Sequence, residues 1–122
     1  MTQGSVYMPL VKSQQESRKH PRRSIIWRAL VKDKKKNFFT PCIVLDISKE
    51  GALIKCIEPF KEGLVYPMMI NAVIDHKKYQ IYTMAKMSNI VLSQKHYKIG
   101  VSFIKIDPED QSILENFIEN IF

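Results

Sequence analysis

Hydrophobic positions along this chain fall into short runs separated by polar and turn-forming residues, the pattern of a strand-rich fold. Ser24 to Val31 is rich in Ile, Trp and Val and is expected to be a strand, followed by a charged loop from Lys32 to Asn37. A second strand is expected from Phe39 or Thr40 to Ile47 and a third from Gly51 to Ile57, with Ser48 to Gly51 as the turn between them. Pro59 to Gly63 marks a loop. Val65 to Ile74 and Tyr79 to Val91 then read as strands on either side of Asp75-His76-Lys77-Lys78, and Tyr97 to Ile106 completes the set.

The period changes only at the C-terminus. Asp107 is placed to accept from the first free backbone N–H groups, Pro108 suits the first helical position, and Glu109 and Asp110 complement the positive end of the helix dipole. Ile113, Leu114, Phe117, Ile118 and Ile121 recur at helical spacing and form one apolar stripe. The stripe suits a lid on a barrel core, with a coiled-coil-like contact to another subunit as the alternative. The pattern implies an all-β fold with a C-terminal helix, built as a small antiparallel barrel that escapes exposed sheet edges by closing. Residues 1–16 lack periodicity and read as a flexible N-terminal extension; residues 17–122, with a helix at 107–121, form the domain.

Composition narrows the partners. At 122 residues, with 45% hydrophobic and 25% charged residues, the chain supports one core. No apolar run approaches the ~18–20 residues that cross a bilayer, and Met1 to Leu10 lacks the basic-then-apolar layout of a signal peptide. A cytoplasmic protein without membrane insertion is expected. The net charge is +7, and ten of the 19 basic residues lie between Lys12 and Lys36, where Glu16 and Asp33 are the acids. Such a segment favours anionic partners, whether nucleotide, nucleic acid or an acidic surface. Cys42 and Cys56 form no zinc or CxxC pattern and are expected as buried thiols. If Asp46 faced Ala52 across the hairpin, the two cysteines would face each other, but a reducing cytoplasm disfavours a bond.

Two short patterns carry the chemistry. Arg18-Lys19-His20-Pro21-Arg22 holds two guanidinium groups four residues apart, and Arg23 adds a third. Arginine's planar fork bonds a phosphate or the O6/N7 edge of guanine in pairs and stacks on bases, which lysine does not do. Asp46-Ile47-Ser48-Lys49-Glu50-Gly51 supplies the complementary polarity. A carboxylate at Asp46 accepts from the N1–H and N2–H₂ of guanine, Ser48 donates to an acceptor, and Gly51 permits a positive φ or a close ligand approach. Read alone, the second pattern is an ordinary hairpin turn in which Asp46 and Ser48 satisfy their own backbone. The conjunction of the two patterns points to a guanine-containing anion.

These motifs, with the ending Ile99-Gly100-Val101-Ser102-Phe103 before the Asp107-Pro108-Glu109-Asp110 helix start, resemble the PilZ domain family of bacterial cyclic di-GMP receptors over roughly Glu16 to Ile121. The resemblance implies a six-stranded β-barrel with a C-terminal helix. It implies cyclic di-GMP as ligand, with Arg18, Arg22, Arg23, Asp46, Ser48 and Gly51 as the binding set, and an arginine arm that folds over the ligand. It also implies signalling through a downstream effector protein. Ser17 departs from the pattern, since many relatives carry a basic residue there, and that neighbourhood influences whether one molecule or an intercalated pair binds.

Nothing in the sequence suggests catalysis. His20, His76 and His96 are scattered, and no HExxH, GxSxG, Walker-type loop or paired-carboxylate arrangement accompanies them. No metal site or cofactor is expected. Met68, Met69, Met84 and Met87 read as core filler, and Lys34-Lys35-Lys36 as a solvated loop. Two alternatives stand beside the receptor: a small basic barrel that binds single-stranded nucleic acid through its arm and Phe38 and Phe39, or an adaptor that binds protein alone. Oligomeric state is not legible in the sequence.

Overall fold

The computed structural model describes residues 21–33, 35 and 37–120. The expected extension at 1–16, Arg18 and Ile121 lie outside the described residues. Six strands follow one another: β1 (Arg23–Asp33), β2 (Phe38–Ile47), β3 (Gly51–Cys56), β4 (Val65–Ile74), β5 (Lys77–Ser93) and β6 (His96–Ile106). A single helix, α1 (Pro108–Glu119), ends the described chain.

All pairings are antiparallel, and the strands close in the order β1-β2-β3-β6-β5-β4. Alternation explains the closure. Trp27, Ala29 and Val31 of β1, Ile70 and Ala72 of β4, and Ile81, Thr83 and Ala85 of β5 all turn inward, while the residues that alternate with them are more exposed. Val44, Ile54, Ile70, Ile81 and Ile99 are wholly buried at the centre.

α1 covers one end of this core. Leu114 and Ile118 are buried, and Ile113 and Phe117 pack against the same cluster, so the apolar stripe is a lid. Asp107 does not cap the helix with its side chain, in contrast to the sequence expectation. Its carbonyl accepts from the Gln111 N–H at 2.8 Å, and the carboxylate of Asp110 instead accepts from the Tyr82 N–H at 3.2 Å. The first turn of the helix therefore satisfies a strand donor rather than its own.

Three further expectations are corrected. The turn between β4 and β5 is only Asp75-His76, both left-handed at φ 51° and 66°, so pairing resumes at Lys77. Two consecutive left-handed residues match the right-handed twist of the flanking strands. Met68 and Met87 are core residues, but Met69 and Met84 fall on the outer face. Cys42 pairs with Cys56 across β2 and β3, and the two sulfurs are joined as a disulfide in place of the expected thiols.

Candidate functional site

The site is built on the β2–β3 hairpin, and a bulge sets its chemistry. Cys42 and Val44 point into the barrel, so strict alternation would send Asp46 inward as well. The register shifts between Val44 and Asp46, which makes Ile47 the next buried residue and turns Asp46 to the outer side. Asp46 therefore faces Leu53, and Ile47 faces Ala52, one position from the expected register. The bulge also restores the offset that brings Cys42 opposite Cys56.

Arg22 immediately precedes β1 and reaches this carboxylate. Its Nη1 donates to Asp46 Oδ1 at 3.3 Å, with the arginine side chain 40% exposed and the aspartate 19% exposed. The structure thus brings the two sequence motifs together through Arg22 and Asp46. An ion pair this open to water contributes little stability and can exchange for another anion.

Ser48 lies at the start of the turn and is buried. Its N–H donates to the Gly51 carbonyl at 2.8 Å, its hydroxyl lies 3.3 Å from the same oxygen, and it accepts from the Glu50 N–H. The hydroxyl is thus committed to the turn. Gly51 has a different role from the one expected. A Cβ there would collide with the Val101 carbonyl oxygen, so glycine is required by the close approach of β6.

Residues not singled out from sequence fix the hairpin in space. Gln111 of α1 donates from its amide to the Lys49 carbonyl at 3.0 Å and to Glu115 at 3.2 Å, and the Phe103 N–H donates to the Glu50 carbonyl at 2.8 Å. Gln111 had a legible signal: it shares a helix face with Leu114 and Ile118, and a polar residue there must find a partner. Arg23 begins β1, and its guanidinium lies 4.0 Å above the Phe117 ring while bonding the Phe117 carbonyl at 3.0 Å. Phe117 in turn packs against Trp27 at 5.0 Å between ring centroids. The start of β1, its core tryptophan and the helix therefore meet at one aromatic ring.

No group of His, Cys, Asp or Glu among the described residues could hold a metal ion. No described helix is long and apolar enough to cross a membrane.

The hairpin, the preceding arginines and the capped barrel coincide with one family model, the PilZ domain, which matches residues 16–120. The chain belongs to the PilZ family. No curated protein sequence matches this PilZ domain. Among solved structures, the Bacillus subtilis inhibitor of motility MotI/DgrA is 17% identical with a TM-score of 0.74, covering 84% of this chain and 49% of that one. Escherichia coli YcgR in complex with c-di-GMP is 16% identical with a TM-score of 0.71, covering 85% of this chain and 45% of YcgR. The isolated YcgR PilZ domain with c-di-GMP is 16% identical with a TM-score of 0.67, covering 85% of this chain and 90% of that domain. This PilZ domain spans about half the length of the first two proteins, with which it shares the fold.

Proposed function

We propose that this PilZ domain is a cytoplasmic cyclic di-GMP receptor that binds its ligand without catalysis. The observation that carries the reading is the meeting of Arg22 and Asp46 at 3.3 Å on an exposed shoulder of the barrel. A cation fit for phosphate or a guanine edge and an anion fit for the guanine N1–H and N2–H₂ stand side by side, each the other's partner until a ligand offers both polarities at once. Structures of YcgR with c-di-GMP support that choice of ligand.

In this reading the ligand exchanges the internal ion pair for two external ones. Its phosphate takes Arg22, joined by Arg18 from the preceding arm, and its guanine takes Asp46. Ser48 and Gly51 serve by holding the turn that aims Asp46. Arg23 joins the ligand only by leaving the Phe117 ring, so its contact with ligand and its contact with α1 are exclusive. Ordering of the arm against the barrel alters the surface shown to an effector protein.

A competition assay between cyclic di-GMP, cyclic di-AMP and a single-stranded oligothymidylate tests the reading. Displacement by cyclic di-GMP alone is expected, because guanine combines the O6 acceptor with the N2 donor. Equal displacement by the oligonucleotide, with steep salt dependence, would instead favour a nucleic-acid binder that uses the exposed Phe38 and Phe39.

A further inference from the structure

A second surface lies along the seam between β1 and β4, outside the ligand-binding hairpin. These strands pair only over Arg28–Val31 and Met68–Asn71. Beyond that point Pro67 offers no N–H, and the seam opens. Leu30 faces Met69, and Met69 faces Tyr82, so their outward side chains stand in one row; Pro67 and Met84 pair in the next. With Phe39, these residues line a groove of about 570 Å³. Tyr82 is 56% exposed and Phe39 54% exposed.

The groove carries its own charge signature. Lys32 and Lys105 line it, and the Lys32 ammonium sits 5.7 Å over the Phe39 ring. Asp107 stands at the end where α1 begins.

We infer that this groove docks an amphipathic helix of a partner protein, with apolar anchors in the groove and carboxylates meeting Lys32 and Lys105. The barrel leaves only a short stretch of the β1–β4 seam unpaired, and Pro67 there lacks an N–H for a partner strand, so side chains provide most of the contact. Methionines adapt to the shape of an apolar anchor, and aromatic residues supply contact area at low entropic cost. Nucleic acid fits less well, because no arginine lines the groove, Asp107 brings a negative charge to it, and half of its lining is aliphatic Leu, Ile, Met and Pro. A flat lipid surface does not fill a concavity. The inference stands on the groove alone and is independent of the nucleotide ligand.

The test uses the full chain labelled at its methionine methyl groups. It is titrated with a synthetic amphipathic helix of about 16 residues, with Leu at i, i+3, i+4 and i+7 and Glu on the polar face. Parallel titrations use the same peptide with Lys for Glu, a single-stranded oligothymidylate, and phosphatidylglycerol vesicles. Met69 and Met84 signals are expected to shift with the acidic peptide while Met87, wholly buried inside the barrel, stays fixed. The surface variant Lys32→Glu/Lys105→Glu should weaken binding by about tenfold or more, and Met84→Lys should abolish the shift at Met69. Both variants are checked for fold by circular dichroism, and the charge-reversal pair suffices if Met84→Lys fails to fold. The inference is overturned by an unshifted Met69 and Met84, by an equal response to the Lys peptide, or by a stronger response to the oligonucleotide or vesicles. Concentration-dependent shifts at the same methyl groups without peptide would assign the groove to a second copy of the chain and overturn it equally.

Discussion

Asp46 occupies the outer face because β2 carries one residue more than its partner strand requires between Val44 and Asp46. Its carboxylate is thereby aimed at Arg22 rather than at the core. The two groups should fail differently when removed. Arg22→Ala is expected to lose most of the affinity for cyclic di-GMP. Asp46→Ala should lose discrimination against cyclic di-AMP more than affinity for the phosphates, as read by competitive titration of each variant. Gly51 is a matter of packing: the methyl group of Gly51→Ala would press on the Val101 carbonyl, costing about 1–3 kcal/mol of stability in urea unfolding, a typical overpacking loss. The residue types at this site were legible, and the bonds of Ser48 within its turn match the ordinary hairpin reading of the motif. The reason for the glycine was not legible. It was expected to serve conformation or ligand, whereas close strand approach depends on which strand lies alongside, and no local pattern encodes that.

Among elements, α1 is tied to two places on the barrel: Gln111 bonds Lys49 in the β2–β3 turn, and Arg23 at the start of β1 bonds Phe117. Every strand was legible because its alternation is strong, and the helix was legible because its stripe is narrow. The bulge in β2 was harder to see. Its trace is the three-residue step from Val44 to Ile47 between buried positions, which interrupts a period of two. The disulfide between Cys42 and Cys56 closes a separation of 14 residues within the hairpin. Intact mass without reductant should show a deficit of about two daltons relative to the thiols. Reduction should lower stability by up to about 3 kcal/mol on the chain-entropy account, measured by thermal or urea unfolding. Because Trp27, 5% exposed, packs on the ring that carries Arg23, the proposed ordering of the arm predicts a change in its emission on addition of cyclic di-GMP. Phe117→Leu keeps the apolar lid and removes that ring, so the ligand-dependent change should shrink while binding persists.

For the whole molecule, a net charge of +7 favours anions, and the closed barrel carries two separate surfaces to which the proposals assign different partners. One is the polar shoulder around Arg22 and Asp46, and the other is the apolar groove along β1, β4 and β5. The shoulder announced itself through residue types that rarely coincide. The groove did not, because Leu30, Met69 and Met84 are apolar residues within strands, and only the register decides which of them face solvent. Closure, register and the packing of α1 are long-range results of burying one core. Binding of cyclic di-GMP is the claim on which the functional account rests. Titration calorimetry of the folded full chain measures it directly: binding at micromolar concentrations or tighter, with no comparable heat from cyclic di-AMP, is expected. A folded protein that gives no heat of binding with cyclic di-GMP at those concentrations would contradict the account.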